Sequence, residues 1–100
     1  MQIIVHGATG RMGQLICAAA GNEVAARVSP DYPVSENGCW RTLAEYQGPA
    51  DCVIDFSHHS AAGTLVRYCL ERKLPLLIAT TGQTEAERAQ IEAAAAEIPV

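Results

Sequence analysis

The stretch Ile3-Ile4-Val5-His6 followed by GATGRMG, residues 7 to 13, constrains this chain more than any other. A short apolar run ends in three glycines spaced three apart, and a helical pattern begins at once. A continuous run of this kind suits a strand covered on both faces, here Gln2 to His6. The spacing then predicts a helix over Gly10 to Ala20, with Met12, Leu15, Ile16, Ala19 and Ala20 on one stripe and Gly21 closing it. At the junction each glycine has a reason. Gly7 allows the sharp turn out of the strand, Gly10 removes a Cβ that would collide with a pyrophosphate, and Gly13 lets the helix press against the strand. A phosphate at this point meets unpaired N–H groups and the positive end of a helix dipole. The common fingerprint is GxGxxG; this is the GxxGxxG variant, with Ala8 where the usual first glycine stands. The competing reading is a tight strand-to-helix turn that holds no ligand.

The rest of the chain repeats the alternation. Glu23 to Val28 reads as a second strand, and Ser29 to Cys39 as a loop rich in turn formers. Thr42 to Tyr46 follows as a short helix stopped by Gly48-Pro49. DCVIDF, residues 51 to 56, is a third strand, and residues 57 to 73 a helix with Ala62, Leu65, Val66, Cys69 and Leu70 on one face. Residues 74 to 81 read as a fourth strand. Thr84 and Glu87 form a capping box for a helix over Thr84 to Glu97, and residues 98 to 100 look like the opening of a fifth strand. Strands alternating with helices mean an α/β fold, a Rossmann-like doubly wound parallel sheet in a single domain. The crevice belongs at the carboxyl ends of the strands, where the strand order reverses.

Composition narrows the partners. One hundred residues, 49% hydrophobic and 18% charged, make one domain with a real core. A net charge of −4 argues against a nucleic-acid binder, which needs a basic face. No segment has the apolar length of a membrane span, and the amino terminus shows no signal-peptide pattern, so no membrane partner is expected. Cys17, Cys39, Cys52 and Cys69 form no CxxC pair and lie mostly in apolar runs, which reads as reduced thiols in a cytoplasmic protein rather than a metal or disulfide framework.

Further candidates sit at the strand ends. A nicotinamide-dinucleotide site usually carries an acid after its second strand for the adenosine ribose. Here Ser29 stands there and Asp31 comes two residues late, while Arg11 and Arg27 are cations within reach of a 2′-phosphate. The missing acid leans toward NADPH or dual use, against a second reading of Arg27 as a solvated surface residue. Phe56 suits the adenine or the core, and Ser57 or Ser60 the start of a helix. His58 and His59 are adjacent, so they do not share a helix face and read as polar first-turn residues rather than metal ligands. His6 reads as structural. Ala79, Thr80, Thr81 and Gly82 stand where backbone and hydroxyls would meet a nicotinamide ring and its ribose, or where any strand would turn.

GATGRMG, then DCVIDFSHHSA, then LLIATTG and IPV, in this order and spacing, resemble the amino-terminal half of dihydrodipicolinate reductase, also called 4-hydroxy-tetrahydrodipicolinate reductase, over the whole chain. The resemblance implies a reduction of a cyclic dihydropyridine dicarboxylate with NADH or NADPH, on the route to diaminopimelate and lysine, in a homotetramer built through a carboxyl-terminal domain. It implies that Gly7, Ala8, Thr9, Gly10, Arg11 and Met12 bind the pyrophosphate and that Ser29 lies by the adenosine ribose. Phe56 and Ser57 would lie near the adenine, and Ala79, Thr80 and Thr81 on the nicotinamide side. Two residues depart from the family: Ala79 replaces the usual glycine before TTG and narrows the nicotinamide pocket, and His59 replaces a usual proline and loosens the helix start. The family's substrate motif, a His-His pair and Lys ahead of Asp-Ala-Pro-Ser-Gly-Thr, does not occur among these residues. The expectation is a cofactor domain cut off at its fifth strand, without the carboxyl-terminal domain, that binds dinucleotide and turns over nothing. Two other classes share the glycine loop: atypical short-chain dehydrogenases, and regulatory or CoA-binding nucleotide domains.

Overall fold

The computed structural model describes residues 1–36, 38–80 and 82–100. Among them five strands build one sheet: β1 (Ile3–His6), β2 (Val24–Val28), β3 (Cys39–Trp40), β4 (Cys52–Asp55) and β5 (Leu76–Ile78). Their order is β3-β2-β1-β4-β5 and every neighbouring pair is parallel. Three α-helices accompany them: α1 (Arg11–Ala20) between β1 and β2, α2 (Ala62–Arg72) between β4 and β5, and α3 (Glu85–Ala95) after β5. The sheet is covered on both sides, which is why its strands read as unbroken apolar runs. Ile3, Val5 and Cys17, with the half-buried Ile16 and Ile54, form the layer under α1. Ile4, Val53, Leu65, Cys69 and Ala94 belong to the layer under α2 and α3. The architecture is the doubly wound α/β fold that the alternation requires.

Ala62, Leu65, Val66 and Cys69 of the α2 stripe are buried as its spacing demands, with Tyr68 added and Leu70 half-buried. The capping box of α3 forms as well: the Thr84 amide donates to Glu87 Oε1 at 2.8 Å and the Glu87 amide to Thr84 Oγ1 at 3.2 Å. Four expectations need correction. Met12 and Leu15 are 50% and 59% exposed, so the α1 stripe is turned. The inward face carries Gly13, Ile16, Cys17 and Ala20 instead, because Gly13 has to face the loop it packs on. The region read as a loop up to Cys39 ends in β3, created by its partner: the Arg27 amide donates to Gly38 O and the Ser29 amide to Trp40 O, each at 2.9 Å. Ile98 to Val100 forms no strand. The Leu76 amide donates to Pro99 O at 2.8 Å, but Pro99 has no N–H to continue a ladder. The short helix expected at Thr42 to Tyr46 shrinks to a 3₁₀ turn, Leu43–Glu45, and the head of the helix expected over residues 57 to 73 is a 3₁₀ turn, His59–Ala61, ahead of α2.

Candidate functional site

The chain passes from β1 to β2 on one side and later returns to place β4 on the other. The carboxyl ends of β1 and β4 therefore lie side by side, with His6 opposite Asp55. Loops leaving two such strands diverge and leave a crevice between them. Gly7 holds the crevice floor. Its φ is +85°, and a Cβ there would lie 2.6 Å from Phe56 C and Ser57 N, so only glycine lets the two loops meet. The Gly7 and Ala8 amides both donate to Val28 O, at 2.8 and 3.1 Å, tying the end of β2 to the same point. At Gly13 a Cβ would lie 2.1 Å from Gly7 O and 2.8 Å from Ala8 Cα, so α1 packs directly on the loop backbone.

Gly10 differs from both. A Cβ there would have one protein neighbour within 4 Å, Gly7 O at 3.5 Å. The fold itself does not exclude a side chain at this position; the open crevice in front of it is what a side chain would fill. Gly10 is also the N-cap of α1, and no side chain caps that helix. Two cavities open on either side, of about 440 and 420 Å³, and both are lined by Gly10, Phe56, Ser57 and His58. The first extends past His6, Thr9 and Ser29 to Pro30, Asp31, Arg41 and Thr42. The second extends past Arg11, Met12 and His59 to Ala79 and Thr80. A long ligand with a charged middle fits this plan, its middle at the bare helix mouth and one end in each cavity.

Under the floor, Asp55 is 2% exposed and ties the loops together. It accepts from His6 Nδ1 at 2.9 Å, from the Ser57 amide at 3.0 Å and from Ser57 Oγ at 2.5 Å. Thr80 Oγ1 donates to its other oxygen at 3.3 Å. Burial pushes the Asp55 carboxyl up, but the bonds from His6 and Ser57 outweigh it and hold the group below the usual carboxylate range. An ionised carboxylate only accepts, so the His6 proton sits on Nδ1. At the far wall Thr9 Oγ1 lies 2.6 Å from Ser29 Oγ and donates to Asp31 Oδ2 at 2.9 Å, while the Asp31 amide donates to Ser29 Oγ at 3.2 Å.

Comparison with known proteins decides what this crevice belongs to. The family described as dihydrodipicolinate reductase, N-terminus, matches residues 1–100. Three relatives carry the name 4-hydroxy-tetrahydrodipicolinate reductase. The one from Caldanaerobacter subterraneus subsp. tengcongensis is 38% identical over all of this chain and 41% of its own length. Those from Exiguobacterium sp. and Akkermansia muciniphila are 41% and 40% identical, again over the whole chain and 39% of their own lengths. This chain belongs to the dihydrodipicolinate reductase amino-terminal family. It spans about two fifths of the length of these curated relatives.

As a dihydrodipicolinate reductase amino-terminal domain, the chain brings most of its candidate residues to one crevice. Gly7, Thr9, Gly10, Ser29, Phe56 and Ser57 line the first cavity, and Arg11, Met12, Ala79 and Thr80 the second. Ala8 lines neither: it is 3% exposed and its amide is bonded to Val28 O. The Gly7 amide is likewise engaged, so these two residues shape the loop, and the free donors of the motif lie further on, in the first turn of α1. Thr81 lies outside the described residues. Ser57 donates to Asp55 rather than capping α2. His58 caps the 3₁₀ turn ahead of α2 instead, its Nδ1 accepting from the Ser60 amide at 3.2 Å, and α2 itself has no side-chain cap. His59 lies with its Nδ1 2.8 Å from Glu87 Oε1, pinning the head of α2 to the head of α3. His6, read from sequence as structural, lines the cleft while bonded to Asp55. Arg41, Thr42 and Leu43 also line it and carry no motif. Only the pairing of β3 with β2 brings them there.

Proposed function

We propose that this chain is the nicotinamide-dinucleotide-binding half of a 4-hydroxy-tetrahydrodipicolinate reductase. The observation that carries the reading is the uncapped mouth of α1 at Gly10, set between two cavities in a member of this family. The residues fit the cofactor. Gly10 leaves a cradle that a Cβ would fill, and the first turn of α1 presents N–H groups and a positive dipole end to a diphosphate. Phe56 offers an apolar surface for a base, and Ser29 and Asp31 offer oxygen acceptors for ribose hydroxyls. Ala79 and Thr80 stand by the nicotinamide end. When bound, the cofactor supplies a hydride. The protein's part on this side is to hold the ring end in place, with Asp55 locking the Ser57 and Thr80 loops at fixed separation.

We infer that the reaction served is the reduction of a cyclic dihydropyridine dicarboxylate in diaminopimelate and lysine synthesis, as the family resemblance implies. Hydride transfer needs substrate and ring held in near-attack geometry. We assign the substrate contacts and the tetramer interface to the carboxyl-terminal part of the longer family members. No helix among the described residues is long and apolar enough to cross a membrane, and we assign the protein to the cytoplasm. The test is a titration of the 100-residue chain with NADPH and NADH, followed by fluorescence of Trp40, its one tryptophan. Saturable quenching without reductase turnover is expected. Appreciable turnover by this chain alone, or binding of coenzyme A in place of either dinucleotide, refutes the proposal.

A further inference from the structure

We propose that His59 is a positioning residue for the nicotinamide side of the crevice: through Glu87 it fixes where the chain after β5 presents Ala79 and Thr80 to a bound ring. The inference rests on the dinucleotide reading above. The chain leaving β5 is held at two ends. On the near side the Ala79 amide donates to Asp55 O at 2.9 Å and Thr80 Oγ1 to Asp55 Oδ2 at 3.3 Å. Gln83 Nε2 reaches back to Thr80, donating to its carbonyl at 2.8 Å and to Oγ1 at 3.2 Å. On the far side the Thr84 amide donates to Glu87 Oε1 at 2.8 Å, within the capping box of α3. The near anchor belongs to the sheet. The far anchor is only as fixed as the head of α3, and His59 ties that head to the head of α2.

That tie holds one geometry. His59 Nδ1 lies 2.8 Å from Glu87 Oε1, the same oxygen that accepts from the Thr84 amide. The bond from the Thr84 amide, and after it the bond from His59, hold the Glu87 carboxyl below its usual range. An ionised carboxylate only accepts, so the proton of this bond sits on His59 Nδ1. The two side chains are 29% and 17% exposed, so water competes weakly for the bond. Two neighbours set the plane of the imidazole. The His58 ring lies 4.2 Å away between centroids, tilted by 36°, and His58 Nδ1 is itself 2.8 Å from Ser60 Oγ. Gly82, at φ +85°, is the second: a Cβ there would lie 3.7 Å from His59 Cδ2. His59, Ala79 and Thr80 line the same cavity. Among the described residues this is the one side-chain hydrogen bond that joins the head of α2 to α3. Without it the Thr84 end is tethered to a helix free to shift against α2, and Ala79 and Thr80 lose their outer stop. Gly10 and Ser29 stand on other loops and have no part in the tie. The ring end of a dinucleotide should therefore respond to His59 while the adenosine diphosphate end does not. Ring placement is what hydride transfer depends on, and a displacement of about 1 Å costs rate steeply.

The experiment measures binding of NADPH, NADH and ADP-ribose, which lacks the nicotinamide ring, to the intact chain and to H59A and H59N. Thermal melts check folding, and the fluorescence of the reduced ring reports its seating. H59A is expected to weaken NADPH and NADH by about fivefold or more and to diminish the fluorescence change of the bound ring, while ADP-ribose changes by less than about twofold. H59N keeps an N–H donor near the place of Nδ1 and should recover most of both losses. If H59A does not fold, H59F, which keeps a ring and lacks the donor, takes its place with the same expectations. Equal weakening of ADP-ribose, unchanged affinity for all three ligands, or a loss in H59N as large as in H59A overturns the assignment while leaving dinucleotide binding intact. If the unsubstituted chain binds none of the three, the dinucleotide reading itself fails, and that result is distinct.

Discussion

Gly13→Ala and Gly10→Ala separate what the glycine loop does for the fold from what it does for a ligand. Both sit at the head of α1, and helix propensity alone favours alanine in the interior by about 1 kcal/mol. At Gly13 the packing opposes this. The new methyl would lie 2.1 Å from Gly7 O and 2.8 Å from Ala8 Cα, far inside ordinary contact. Both are backbone atoms, and the Gly7 and Ala8 amides are bonded to Val28 O, so neither can swing aside as a side chain would. The helix must back away by about an ångström or more. Overpacking of this kind costs about 1–3 kcal/mol, and an anchored backbone partner places it at the upper end. The net loss is about 2 kcal/mol, which lowers Tm by roughly 8 °C or more for a domain of this size. At Gly10 the methyl meets only Gly7 O, at 3.5 Å. Loss of the N-cap preference costs under about 1 kcal/mol, so Tm should move by less than roughly 8 °C. Dinucleotide affinity, however, should fall by about tenfold or more, since the methyl enters the crevice at the helix mouth. The assay is a thermal melt with and without NADPH, paired with the Trp40 titration. A Tm for G13A equal to or above the parent refutes the packing argument. G10A binding as tightly as the parent refutes the placement of the diphosphate.

Asp55 makes the fold acid-sensitive. Its folded pKa is depressed below the unfolded value of about 3.9, so its contribution is full above that pH and is lost as pH falls through the folded value. Asp55→Asn should cost about 2–3 kcal/mol near pH 7, because it removes the charge that strengthens the bonds His6 and Ser57 make to one oxygen and sets an amide nitrogen against Thr80 Oγ1 in place of the other, and should flatten the loss of stability below about pH 4. Chemical denaturation across that range measures both effects, and a variant with the parent's acid limb counts against the network. Leu65 is 1% exposed at the centre of the α2 face. Leu65→Ala should lose about 2–5 kcal/mol, read as a lower denaturation midpoint with unchanged m-value. Burial pushes the Cys69 thiol up to about 12, so it should resist alkylation in the native protein and react only on unfolding.

The sequence by itself determined the alternation of strands and helices, the glycine junction, the inward face of α2 and the cap of α3. Each rests on local chemistry: apolar runs, spacing at helical period, or a Thr and a Glu three residues apart. From the alternation follow a parallel sheet and a crevice at its carboxyl edge, and from the motifs follows the family. Tertiary structure decided the rest. Met12 and Leu15 satisfy the helical period as well as Ile16 does, and only the close approach of Gly13 to Gly7 shows which side of α1 faces inward. Cys39 and Trp40 carry too little signal for a strand until β2 offers its edge. That pairing then brings Arg41 next to Ser29, twelve residues away in the chain. His6 and Asp55 are forty-nine residues apart and meet because β1 and β4 are neighbours in the sheet. Local chemistry fixes elements and loops; which polar side chains share a wall depends on strand order and register, and those are properties of the assembled sheet.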